Sequence, residues 1–118
     1  MNEQWLLIIG LFALFFFYRR FKANKVKEQL AMLNIEETQL LDVRTEAEFA
    51  GFNVPDSLNI PVQSLITGNT KGLNKNKTLL VFCASGMRSS SACVWLKKQG
   101  YNVINAGTVG NVIQHVKP

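Results

Sequence analysis

Residues 83–88 read Cys-Ala-Ser-Gly-Met-Arg, placing a thiol, a glycine and a guanidinium within six positions. The preceding run, Thr78-Leu79-Leu80-Val81-Phe82, is apolar and predicts a buried strand. Ser89 to Gln99 predicts a helix, ended by Gly100. A cysteine at a strand's end, ahead of a short loop and a helix start, sits where negative charge is favoured. Loop amides and the helix dipole both point positive charge at that spot. A thiolate there forms more easily than on a free cysteine, so Cys83 is the candidate nucleophile.

The elements that must hold Cys83 are legible on both sides. Asn24 can cap a helix running to about Leu33, with Val26, Leu30 and Leu33 on one face, or that helix continues an earlier one. Gln39-Leu40-Leu41-Asp42-Val43 predicts a buried strand. Thr45-Glu46-Ala47-Glu48 has capping-box form and should start a short helix that carries Phe49 inward. Val54-Pro55-Asp56-Ser57 is turn chemistry, and Leu58-Asn59-Ile60 is a short strand stopped by Pro61. Val62 to Ile66 gives one or two helical turns, and Thr67 to Lys77 is an exposed Gly-, Asn- and Lys-rich loop. Asn102 to Asn105 predicts a strand, Ala106 to Gly110 a turn, and Asn111 to Val116 a final helix. Strands that alternate with helices imply an α/β fold with an open parallel sheet. Ligand sites of such sheets lie at the carboxyl ends of the strands. Cys83 falls at one such end, and Asp42 and Arg44 at another.

The first part of the chain has a different composition. Trp5 to Tyr18 contains no charged side chain, and Arg19, Arg20, Lys22, Lys25 and Lys27 follow it. A full span needs about 20 apolar residues, with a lower bound near 17. Phe21 and the snorkelling stems of the flanking cations bring the run near that bound. Trp5 and Tyr18 bracket it as interface aromatics do. A cleavable signal should carry positive charge ahead of the run and small residues after it. Glu3 and the bulky Phe15-Phe16-Phe17 do not fit that pattern. A buried core helix would need a polar face or a larger domain to surround it. The expectation is a single-pass membrane anchor over residues 1–22, a linker helix over 23–36 and a domain over 37–118. The basic flank puts that domain in the cytoplasm and Met1 on the far side. The cytoplasm is reducing, which suits a free thiol.

The formal charge of +5 is concentrated in this flank, which argues against nucleic acid as a partner. Two cysteines give no disulfide framework, and no Cys/His spacing suits zinc. His115 reads as a solvated tail residue rather than a base. Cys93 reads as a buried, inert thiol.

In order, Cys83-x-x-Gly86-x-Arg88-Ser89 with Ala92, Leu96 and Gly100-Tyr101, then Leu41-Asp42-Val43-Arg44, Glu48-Phe49, Asn59-Ile60-Pro61 and Val103 to Gly107, resemble single-domain rhodaneses, the thiosulfate-type sulfurtransferases. The resemblance runs from about Leu40 to Gly110. It implies a rhodanese-like open parallel sheet with helices on both faces. It also implies a cysteine that accepts a sulfane sulfur and passes it to cyanide, a thiol or an acceptor protein, without metal or organic cofactor. The loop chemistry agrees. Ala84, Ser85, Gly86, Met87, Arg88 and Ser89 are the candidate substrate-binding residues. Their amides can form an anion nest, Gly86 permits a conformation a Cβ obstructs, and Arg88 offers fixed charge to a small anionic donor. Asp42 and Arg44 read as a supporting brace at the neighbouring strand end.

Two other classes compete. One is a tethered binding or scaffold domain that keeps the fold without turnover. The other is a cysteine phosphatase or arsenate reductase. Phosphatases of related fold resemble Cys-x5-Arg, whereas here four residues separate Cys83 from Arg88. The shorter loop suits one added sulfur better than a phosphate. The chain also departs from the family at Phe52-Asn53, Asp56-Ser57 and Thr108, where Gly-His, Gly-Ala and a second glycine are usual.

Overall fold

The structure is a computed structural model that describes residues 3–31 and 33–116. Helix α1 (Glu3–Ala31) is followed by a 3-10 turn (Ile35–Glu37). Then come β1 (Thr38–Asp42), α2 (Glu46–Gly51), β2 (Leu58–Asn59), α3 (Val62–Ile66), β3 (Thr78–Cys83), α4 (Met87–Lys98), β4 (Val103–Thr108) and α5 (Val109–His115). All strand pairs are parallel, in the order β2-β1-β3-β4.

Side chains alternate across β3 and thereby create two cores. Leu79, Val81 and Cys83 face one side, with Leu65 of α3 and Ala92, Cys93 and Leu96 of α4. Leu80 and Phe82 face the other, with Leu30 of α1, Ala106 and Val112 of α5. The sheet therefore carries helices on both faces, as the rhodanese-like pattern implies. Chain order reverses between β1 and β3, since β2 flanks β1 on one side and β4 flanks β3 on the other. In open α/β sheets the crevice for ligands lies at such a reversal, here at the carboxyl ends of β1 and β3. Asp42 and Cys83 end those two strands.

Helix α1 passes through Asn24 without a break, so Asn24 is not a cap. Within it, Glu3–Lys22 is 20 residues long, apolar enough to cross a membrane, and makes no buried contact with the domain. At about 1.5 Å per residue it spans roughly 30 Å, the thickness of a hydrocarbon core. The last turn of α1 is different: Leu30 is buried, and Leu33 packs beside the same core. The side chains of Val26 and Lys27, and Met1, lie outside the described residues.

Several expected boundaries move. Helix α4 starts at Met87 rather than Ser89, with Gly86 as its N-cap residue. Strand β4 runs on through Ala106, Gly107 and Thr108, where a turn was expected. Val81 pairs with Asn105 but Phe82 pairs with Gly107, so Ala106 is an extra residue in a bulge. Gly107 takes φ +81°, a left-handed conformation that suits a glycine in a bulge. Its glycine therefore bends a strand instead of ending one. Helix α5 consequently begins at Val109, capped by the Thr108 hydroxyl. Phe49 is half-buried rather than a core residue, because α2 buries none of its side chains. His115 is half-buried with Nε2 enclosed, not a solvated tail residue, since α5 packs against β4 and α1.

Candidate active site

Strand β3 delivers Cys83 to the crevice, and three residues turn the chain into α4. The turn requires Gly86, whose φ of +92° is strained for residues with a Cβ. An added Cβ there would also stand 3.6 Å from the Gly107 Cα. That is ordinary van der Waals contact, so the left-handed backbone rather than crowding is what calls for glycine at position 86.

The first amides of a helix lack intrahelical acceptors. Here two donors find the sulfur. The Gly86 N–H donates to Cys83 Sγ at 2.9 Å and the Ser89 N–H at 3.4 Å. The Cys83 residue itself has no exposed surface. Burial alone pushes its thiol up. The Ser89 N–H and hydroxyl and the Gly86 and Ser85 amides outweigh that, and the net result lies below the ordinary thiol value. The backbone amides carry this effect. The single Ser89 hydroxyl proton is directed at the Gly86 carbonyl, at 3.0 Å.

The loop is pinned from behind. The Gly86 carbonyl also accepts from the Ser90 hydroxyl at 2.9 Å. Asn105 Nδ2 donates to that hydroxyl at 3.1 Å, and Asn105 Oδ1 accepts from the Gly107 N–H at 2.9 Å. The serines after the loop therefore brace its carbonyl. Ala84, Ser85 and Met87 are exposed, and Arg88 and Gly86 are half-buried.

Asp42 and Arg44 form an ion pair at the carboxyl end of β1. Arg44 Nε and Nη2 reach the Asp42 carboxylate at 3.0 and 2.8 Å. Both residues are buried, and Arg44 Nη2 also donates to the Phe52 carbonyl at 2.6 Å. Asn59 Nδ2 completes the brace, donating to the carbonyls of Asp42 at 3.1 Å and Arg44 at 2.9 Å.

Glu48 enters the site unannounced by the sequence pattern. It forms the capping box with Thr45 as expected. It also binds Arg88, with Nη1–Oε1 at 2.5 Å and Nη2–Oε2 at 3.0 Å. Arg88 and the Thr45 N–H hold the Glu48 carboxyl down to about 2. Glu48 in turn holds Arg88 firmly protonated, with smaller support from the charges of Cys83 and Asp42. Arg88 thus lies within the field of the sulfur but is already occupied. Forty positions separate the partners, so no local spacing reveals the pair. Cys93 has the opposite character to Cys83: burial pushes its thiol up to about 11. Among the described residues no cluster of three His, Cys, Asp or Glu could hold a metal.

Comparison with known proteins bears on the family and the fold. The model of the Rhodanese-like domain matches residues 25–107. A sulfurtransferase of Allochromatium vinosum is 37% identical over 79 residues, covering 67% of this chain and 71% of that protein. The mitochondrial protein HIGH ARSENIC CONTENT 1 of Arabidopsis thaliana is 37% identical over 79 residues, covering 57% of this chain and 47% of that one. Among solved structures, a rhodanese-related protein of Thermoplasma volcanium superposes with a TM-score of 0.59 at 28% identity, over 71% of this chain and 85% of that chain. A rhodanese with anions from E. coli gives a TM-score of 0.57 at 29% identity, over 63% and 89%. This chain belongs to the rhodanese-like domain family.

Proposed function

We propose that the chain is a sulfurtransferase that carries sulfane sulfur as a persulfide on Cys83. The carrying observation is the pair of backbone N–H groups converging on Sγ, which favour the thiolate that must attack. In the loading step the thiolate attacks the outer sulfur of a thiosulfate-like donor. A new S–S bond forms on Cys83, the donor's S–S bond breaks, and sulfite leaves with the electron pair. In the unloading step cyanide, a thiol or an acceptor protein attacks the outer sulfur, and the Cys83 thiolate departs. Ala84 to Ser89 line the reacting sulfur, and Asp42 and Arg44 hold the neighbouring strand end. This chemistry calls on no metal or organic cofactor.

Helix α1 serves as a single-pass anchor in the cytoplasmic membrane. Its apolar 20-residue segment and the basic flank that begins at Arg19 support a cytoplasmic domain. A second reading, a tethered binding domain without turnover, draws on the absence of any exposed surface at Cys83.

The test is mass spectrometry of the full chain in detergent micelles after incubation with thiosulfate. The expected result is a gain of one sulfur atom localised to Cys83, discharged by cyanide as thiocyanate and absent in Cys83→Ala. Thiocyanate formation by Cys83→Ala equal to that of the wild type would refute the persulfide role, and formation by neither protein above the protein-free rate would favour the binding-domain reading.

A further inference from the structure

Arg88 is the only cation of the 83–89 loop, and its guanidinium edge is already filled. Two N–H groups of that edge bind the two oxygens of Glu48 in the fork geometry that suits any planar oxyanion edge. The carboxylate is not a loose surface group. Its Oε1 accepts from the Thr45 N–H at 3.1 Å and the Thr45 hydroxyl at 3.0 Å, so the start of α2 fixes it in place. Both side chains remain about one-third exposed, at 32% and 35%, so solutes can reach the pair. We propose that Glu48 selects among sulfur donors: it acts as a built-in anion on Arg88, so that dianionic donors compete with it and donors of low charge do not. The proposal rests on the reading of Cys83 as a sulfur carrier and adds the donor class, organic persulfides in preference to thiosulfate.

The physics is one of substitution. A dianion that takes the Nη1–Nη2 edge of Arg88 must break two charge-assisted hydrogen bonds, and one that takes the Nε edge still meets Glu48 as an adjacent like charge. A persulfide with an uncharged organic group needs neither step. Glu48 stays ionised throughout the physiological range, because Arg88 and Thr45 hold it near 2.

The experiment titrates the full chain in zwitterionic micelles with sodium sulfate at fixed ionic strength, reading the Arg88 Nε–H NMR signal. Sulfate is an unreactive dianion, so no turnover is needed. Glu48→Gln removes the charge but keeps an oxygen for the Thr45 N–H, as capping boxes allow. The expected half-saturation concentration falls about tenfold, the size of one charge-assisted hydrogen bond. Thr45→Ala loosens the cap and keeps the charge, and should leave sulfate affinity at the wild-type level. In turnover, Glu48→Gln should lower the KM for thiosulfate and leave that for ethyl persulfide unchanged. Equal or weaker sulfate binding by Glu48→Gln overturns the proposal, as does an equal gain in Thr45→Ala. If sulfate affinity rises as expected while Cys83 never gains sulfur, the carrier reading falls and the charge competition stands.

Discussion

Cys83 and Cys93 are ten positions apart, buried in one apolar cluster, and opposite in chemistry. Cys93 sits within α4, where every amide nearby is committed to the helix. Burial pushes its thiol up to about 11. Cys83 is buried more completely, yet its thiol lies below the ordinary value. The difference is where helix α4 begins. Its uncommitted Ser89 N–H and the Gly86 N–H face one sulfur and not the other. Burial lowers reactivity only when nothing replaces the lost water; two oriented N–H groups replace it at Cys83.

The largest effect expected from this contrast is in alkylation. Titrating iodoacetamide labelling against pH should show Cys83 modified through its thiolate at lower pH than a free thiol. Cys93 should stay unlabelled in the folded chain until the pH nears 11, where its own thiolate forms. Simultaneous labelling of both at neutral pH would break the comparison. The next effect extends it from thiols to charge. Asp42 tolerates complete burial because Arg44 and the backbone satisfy it. Asp42→Ala strands the Arg44 guanidinium, and urea melts should record a loss of about 3–5 kcal/mol. A loss within experimental error of zero would show that the brace is dispensable. The smallest effect sharpens the cause. Gly86→Ala imposes a left-handed strain costing about 1–2 kcal/mol. It also turns the loop amides away from Sγ. Labelling of Cys83 at neutral pH should slow accordingly; unchanged labelling would show that the amides are not what distinguishes the two sulfurs.

Much of this site could be read along the chain because its parts are consecutive. A buried strand, a cysteine, a glycine and a helix start follow one another, and neighbouring residues dictate each. The Thr45–Glu48 cap was legible for the same reason. Pairings across the fold were not. Glu48 and Arg88 meet only because α2 and the 83–88 loop share the crevice at the ends of β1 and β3. Gly107 shows a second kind of failure. Glycine marks a turn or a bulge equally well, and only the partner strand β3 decides between them. The continuity of α1 past Asn24 decides between two readings that the sequence left open, a capped helix and a continuous one. Asparagine caps helices well, but a helix already formed on its N-terminal side needs no cap there.

If Cys83 carries sulfur as proposed, its concealed position separates the resting thiolate from the loaded sulfur. An empty site keeps its thiolate among main-chain N–H groups, with no exposed surface of its own. A sulfur atom attached to it extends one S–S bond, about 2 Å, beyond the carrier. The cargo would then stand in the doorway while its holder stays indoors.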